Sequence, residues 1–347
     1  MGRGNIICLM ILAIVIVAFP FVVESPYYFR VINFAGIFSL VCIGLSLLMG
    51  YAGQISIGQA GFFAIGAYSS GILTVHFGWS PAAGIAVGLA LNSLLAFLVG
   101  IPTLRLRGHY LAMATLGIGE IIHIVAVADT GELVSLVLLV FNKVGLASES
   151  LQNTLAPFRA LTGGPSGFGQ IPTLGIGEWR LTTPTQWFCF IWSVVLLHMV
   201  LSLNLVHSRI GRALRAVHGN EEAARAMGIN TPPLKIKVFV VSAAMASIAG
   251  SLYAHYVTFI SPVTFSINES ILFVVMVAVG GMMNVWGALV GTVIMTILPE
   301  SLRFFHDYDI LIYGLVLLII MMFMPDGIVG LIRRLATSLQ SRTRTEQ

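Results

Sequence analysis

Glu120 and His123 stand three residues apart inside the apolar run Leu111 to Ala128. On a helix that spacing puts both side chains on one face, one turn apart. A charge at mid-bilayer costs about 2.5–3.5 kcal/mol on insertion scales, so Glu120 needs a partner or water. The pair suits a contact along a solute path or a proton site; as plain structure it would fix helix packing. A second set lies in the stretch Gly50-Tyr51-Ala52-Gly53-Gln54-Ile55-Ser56-Ile57-Gly58-Gln59-Ala60-Gly61-Phe62. Each glycine costs a helix about 1 kcal/mol against alanine. Membrane helices accept that cost where backbones approach closely or unwind. Gln54, Ser56 and Gln59 then put polar groups at membrane depth, either beside a translocation path or in a tight packing seam.

A third set is soluble in character. Asn220 suits a helix N-cap, since its side chain can accept from free backbone N–H groups. Glu221 and Glu222 follow in the first turn, where the helix dipole favours anions. Gly228 suits the left-handed position that ends a helix, and Pro232-Pro233 prevents resumption. The pattern predicts about two turns of helix outside the bilayer. Ala223, Ala224 and Ala226 would make its surface thin, Met227 would offer one adaptable apolar knob, and Arg215 and Arg225 would rim it. A plain cationic anchor loop is the simpler reading of the same residues.

The elements that must carry these groups follow from composition. Hydrophobic residues make up 57% of 347 positions and charged residues only 9%, with a mean hydropathy of +0.95. Soluble domains carry about 25% charged residues, so the chain reads as an all-α, multi-pass membrane bundle. A span needs about 20 mostly apolar residues. Ten runs qualify or come close: Ile6 to Val23, Val31 to Tyr51, Ser56 to Phe77, Ala82 to Pro102, Leu111 to Ala128, Gln186 to Val206, Val238 to Val257, Ile271 to Met283, Trp286 to Leu298 and Ile310 to Met324. The first lacks a small-x-small cleavage site and is kept as a span. The pair within 271–298 reads either as two short spans or as a re-entrant hairpin. With the N-terminus in the cytosol, thirteen of the eighteen lysines and arginines fall on the cytosolic side, which supports N-in, C-in and an even number of crossings.

The organisation is therefore one membrane domain over 1–347. It has an extracytoplasmic loop at 129–184, a cytosolic loop at 208–237 and a basic cytosolic tail at 333–347, read as a surface anchor. The nine apolar residues Leu133 to Phe141 are too few to span and suit a surface-lying helix. The net charge of +4 is no nucleic-acid signature here. Cys8, Cys42 and Cys189 lie far apart in apolar segments and make no disulfide or zinc pattern. His306, Asp307 and Asp309, near Glu300, are ligand types but read as a solvated cluster, so no metal is expected. A P-loop needs Gly-Lys before Ser or Thr. The only lysines, Lys143, Lys235 and Lys237, follow Asn, Leu and Ile, so no nucleotide site is expected, and no catalytic constellation stands out.

The Glu-Ala-Ala, three residues, Gly spacing of 222–228 resembles the "EAA" loop of ABC importer permeases. The Gly-Gln-Ile-Ser stretch, Arg107-Gly108-His109-Tyr110-Leu111-Ala112, Thr115 to Ile121, Thr162-Gly163-Gly164-Pro165-Ser166-Gly167, Gly211 to Val217, Ile260-Ser261-Pro262 and Pro325-Asp326-Gly327 resemble the permeases of branched-chain amino acid ABC importers, the M-subunit type most of all. The match runs from about residue 33 to 332, with 128–160 as an insertion against the pattern. The resemblance implies that 220–228 is a coupling helix docking an ATPase through Arg215, Glu221, Glu222, Ala223, Ala224, Arg225, Met227 and Gly228. It implies two ATPase subunits holding the ATP and Mg, a second, homologous permease forming a heterodimer, an extracytoplasmic substrate-binding protein, and the inner membrane of a bacterium. Gln54, Ser56, Gln59, Glu120 and His123 would line the path. Urea, short amides or other small polar solutes are the nearest alternative cargo. A proton-coupled carrier using Glu120 and His123, or a non-transporting scaffold, are rivals of a different class.

Overall fold

The computed structural model describes residues 3–302 except 24, 105, 107, 129–160 and 177–178, together with scattered positions from 314 to 330. The run Ile310 to Met324, the stretch Leu133 to Phe141, the cluster His306, Asp307 and Asp309, and the tail from Arg333 lie wholly or largely outside the described residues. Nine of the ten expected apolar runs have a helix: α1 (Arg3–Val22), α2 (Pro26–Ser46), α3 (Gln59–Val75), α4 (Pro81–Thr103), α5 (His109–Val127), α6 (Pro184–His207), α9 (Thr231–Val257), α10 (Ile267–Gly280) and α11 (Val285–Leu302). Between α6 and α9 stand the short helices α7 (Arg209–Gly219) and α8 (Glu221–Ala226). Among the described residues, seven helices are long and apolar enough to cross a bilayer. The extended pieces are minor: β1 (Phe168–Gly169) pairs antiparallel with β4 (Phe259–Ile260), and β2 (Gly175–Ile176) with β3 (Trp179–Arg180).

Lipid tails are as apolar as leucine, so burial alone does not hold such a bundle together; close packing and interhelical hydrogen bonds do. The centre is the triangle α3, α4 and α9. A Cβ at Gly66 or at Gly250 would collide with the backbone of the facing helix, at the Ser247 and Phe63 carbonyls respectively. Asn92 on α4 donates to the carbonyls of Phe62 on α3 and Ala243 on α9, both at 2.9 Å. At the end of the bundle that carries the short strands, the buried His255 imidazole joins the Ser70 hydroxyl and the Pro172 carbonyl, each at 2.7 Å. α2 is packed on α6, α9 and α11, whereas α1 leaves most of its apolar surface exposed.

Two spans are broken. α2 runs into a π-helical turn, Leu47–Tyr51, and the chain then has no regular secondary structure until α3 begins at Gln59. The third span therefore starts as irregular backbone over Ser56 to Gly58 rather than as helix. The reason is close approach: a side chain at Gly50 would strike the Met282 carbonyl, and one at Gly58 the Thr115 carbonyl. The freed N–H groups still find partners, as membrane depth demands: Gln54 N–H on the Leu48 carbonyl (3.1 Å), Ile57 N–H on Thr115 Oγ1 (3.1 Å) and Ala60 N–H on Ser270 Oγ (3.0 Å). The segment 271–298 resolves into an antiparallel helical hairpin, α10 and α11, turning at Gly281 (φ +113°) and seamed by Gly280, Gly287 and Gly291. At 14 residues, α10 is only about 21 Å long at 1.5 Å per residue.

Candidate functional site

The soluble island folds from local chemistry. Ser208 ends α6, and its hydroxyl accepts from the N–H groups of Ile210 and Gly211, which starts α7 at a sharp corner. Asn220 Oδ1 accepts from Glu222 N–H at 2.9 Å and Ala223 N–H at 3.0 Å and so starts α8. At its other end Gly228 has φ +82°. Gly228 N–H reaches the Arg225 carbonyl and Ile229 N–H the Ala224 carbonyl, the paired closure of a Schellman motif.

A carboxylate clamp ties α8 to the start of α9. Glu221 accepts from Lys235 Nζ at 2.8 Å, Arg225 Nη2 at 2.7 Å and Thr231 Oγ1 at 3.1 Å, and Thr231 Oγ1 in turn accepts from Arg225 Nε at 2.8 Å. Partial burial opposes ionisation of Glu221, but the hydrogen bond and charge of Lys235, then Thr231 and Arg225, outweigh it and hold the carboxyl below its ordinary range. α9 then runs 27 residues through the core.

The structure corrects the expected thin surface of α8 in one respect. Ala224 is buried, because α8 must close on its own scaffold; the surface it presents is Ala223, Ala226 and Met227, the last 83% exposed. Arg215 and Arg225 are both exposed. Arg215 donates to the Val206 carbonyl at the end of α6 (3.3 Å), and Arg225 belongs to the clamp.

The polar residues expected along a path are strung out. Gln54 is 2% exposed with neither amide atom partnered, and the buried Ser56 hydroxyl is likewise unpartnered. Gln59 donates from Nε2 to Ser242 Oγ at 3.1 Å and leaves Oε1 without a partner. Glu120 Oε1 lies 3.5 Å from His123 Nδ1, an ion-pair distance if the ring is protonated, and the Glu120 side chain is 41% exposed. Glu120 borders a crevice with Ile57, Gly61 and Ser270 that leaves no room for a water molecule. Gln54 lines a different cavity, beside Asn220 and Glu222. Gln54 and Glu120 thus border separate cavities, and the backbones of Gly58 and Gly119 approach closely.

Sequence reasoning missed Glu269. It lies in the first turn of α10, and its Oε2 is buried without a partner. It sits two residues before the apolar run at Ile271, so hydropathy alone left it outside the span. Among the described residues no group of three His, Cys, Asp or Glu side chains is placed to hold a metal. Cys8, Cys42 and Cys189 are free.

Against this geometry, residues 27–324 match the family model described as "Branched-chain amino acid transport system / permease component". The high-affinity branched-chain amino acid transport system permease protein LivM of Salmonella typhimurium is 31% identical, covering 94% of this chain and 75% of the relative. LivM of Escherichia coli is 30% identical over the same shares. The permease protein LivH of Salmonella typhimurium is 26% identical, covering 87% of this chain and 94% of its own length. No solved structure matches.

Proposed function

The chain belongs to the permease components of branched-chain amino acid transport systems, and from that premise we propose how it works. It is a multi-pass membrane permease subunit of an ABC importer that carries branched-chain amino acids inward. ATP and Mg sit on two separate ATPase subunits. A second, homologous permease completes a heterodimer, an extracytoplasmic binding protein delivers cargo, and the assembly resides in a bacterial inner membrane with both termini in the cytosol. The segments 129–184 and 333–347 are its outer loop and basic inner tail.

The observation that carries this reading is the capped, clamped α8 with its exposed Ala223, Ala226 and Met227. When the ATPases close, α8 is pushed, the Glu221–Lys235 clamp passes the load to α9, and α9 moves α3 through the backbone contacts at Gly66 and Gly250. The unwound entry to α3 then shifts, and the crevice at Glu120 opens. The exposed Glu120 side chain supports the placing of α5. A carboxylate at that depth cannot face hydrocarbon cheaply, so this face of α5 lines the path or meets the second permease.

In proteoliposomes holding the complete transporter, Glu120→Gln is expected to lower ATP-driven leucine uptake several-fold at unchanged membrane abundance. Full uptake by this variant would remove Glu120 from the path. The same assay tests cargo, since excess urea or short amides would suppress leucine uptake only if they share the route. The 3.5 Å Glu120–His123 pair favours one rival, proton-coupled transport by this chain alone; uptake driven by a pH gradient without ATP would establish it.

A further inference from the structure

A strained junction lies at the end of α9 opposite α8. Among the described residues, positive φ outside glycine occurs at Gln170 (+62°) and Thr258 (+60°). Both belong to this junction: Thr258 closes α9, and Gln170 directly follows β1. A left-handed backbone is unfavourable for a residue with a side chain, most of all for a β-branched one such as threonine. It persists only where the surroundings impose it. Here few bonds do so. Ile171 N–H reaches the Thr258 carbonyl at 3.3 Å, two residues pair between β1 and β4, and His255 Nδ1 lies 2.7 Å from the Pro172 carbonyl. That carbonyl can only accept, so Nδ1 carries the ring hydrogen, and Nε2 of the neutral ring accepts from the Ser70 hydroxyl at 2.7 Å. One imidazole on α9 thus holds both Pro172 and α3. A Cβ added at Gly71 of α3 would meet Phe168 at 3.0 Å and Ile171 at 3.3 Å, so these side chains rest on that helix. The far end of the segment is tied to α6: Leu181 N–H bonds the Leu174 carbonyl at 2.9 Å, and the Leu181 carbonyl accepts from Trp187 Nε1 at 3.1 Å. Residues 168–174 therefore form a strap from α6 across α3 and α9.

We propose that the strap 168–174 is an outer latch with His255 as its positioning residue. Closed, it holds α3 and α9 at rest against α6; a loaded binding protein advances the cycle by releasing it. The proposal rests on the transport reading above, which puts this end outside the membrane. Release lets Gln170 and Thr258 relax, so the closed latch is readily given up. α3 and α9 stay joined along the seam at Gly66 and Gly250 and move as one. A partner shifts such an equilibrium only by preferring one state, so the binding protein holds the released strap better than the closed one.

The test uses the complete transporter in proteoliposomes, with Cys8, Cys42 and Cys189 replaced by alanine. Gly169→Cys and Phe259→Cys are added at paired positions of β1 and β4, where directly opposed residues lie within disulfide reach. Oxidation shuts the latch covalently and a thiol reductant reopens it, so one preparation is its own control for folding. Uptake of labelled leucine delivered by the binding protein is expected to fall tenfold or more on oxidation and to return on reduction. In the otherwise native chain, His255→Leu is expected to raise ATP hydrolysis in the absence of binding protein threefold or more. His255→Asn, whose amide nitrogen takes the place of Nδ1 and can still donate to Pro172, is expected to bring it back toward the wild-type rate. Should His255→Leu fail to accumulate, the cysteine pair alone decides. Equal uptake by the reduced form and by the oxidised form, its bridge verified by mass, would overturn the latch while leaving the transport reading intact. So would hydrolysis by His255→Leu no faster than wild type. Absence of ATP-driven uptake of every branched-chain amino acid by the complete wild-type transporter would overturn that reading, and the inference with it.

Discussion

Lys235→Met is expected to abolish ATP-driven uptake, whereas Arg225→Met, which touches the same carboxylate, should cost little. The side chains of Lys235 and Glu221 are 9% and 14% exposed. Removing one partner of a buried ion pair costs about 3–5 kcal/mol, because the other charge is stranded. Thr231 and Arg225 still face Glu221, so the lower end of that range applies. About 3 kcal/mol is roughly a hundredfold shift in the fraction of molecules with α8 anchored. A six-residue helix has no stability of its own to fall back on. Arg225 is 48% exposed, and a solvated pair of that kind contributes about 0–1 kcal/mol. Uptake in proteoliposomes and amide exchange over residues 222–226 would measure both variants. Equal losses would place the mechanical link elsewhere. The sign of the pH dependence follows. The folded value for Glu221 lies below the ordinary 4.5, so the clamp is fully present above that value and is lost only as pH falls through the folded one. Nothing in this group should change transport between neutral and mildly acidic pH.

Gly250→Val should remove the protein from the membrane altogether. The added Cβ would overlap the Phe63 carbonyl oxygen and come within 2.9 Å of Ala67 N. Both obstacles are backbone, so no side chain can swing aside. Overpacking a well-filled core costs about 1–3 kcal/mol and sometimes more. Here α3 and α9 would have to separate along their most extensive contact, also losing the hydrogen bond from Ser251 Oγ to the Gly66 carbonyl at 2.9 Å. Gly100→Ala is the control: its Cβ would sit 3.4 Å from Phe239 Cδ1, an ordinary contact, and alanine favours the helix. Immunoblotting of membranes and the elution profile in detergent would separate the two. Normal abundance of Gly250→Val would mean that α3 and α9 do not pack as described.

What could be read from the sequence was what depends on near neighbours. The bounds of α8 were legible because Asn220 and Gly228 act within one turn of the helix they cap. The break before α3 was legible in its glycine density, though its end at Gln59 was not, since that end is set by Thr115 and Ser270 from other helices. The inward turn of Ala224 was hidden, because six residues show no reliable helical period. The Glu221–Lys235 clamp was hidden too; it closes over 14 positions through a turn whose geometry only the fold supplies. Glu269 was lost to a boundary two residues away. The His255, Ser70 and Pro172 junction is tertiary throughout, and no local pattern announces it.

The central claim is that α8 is the handle of a motor carried by another polypeptide. The most direct measurement is cross-linking from Met227→Cys in the assembled, transporting complex, with Cys8, Cys42 and Cys189 replaced by alanine. A short bifunctional reagent should capture an ATPase subunit at position 227, and a membrane-impermeant maleimide should label that thiol poorly until the ATPases are stripped away. Full maleimide labelling in the actively transporting complex, with no ATPase captured, would contradict the account.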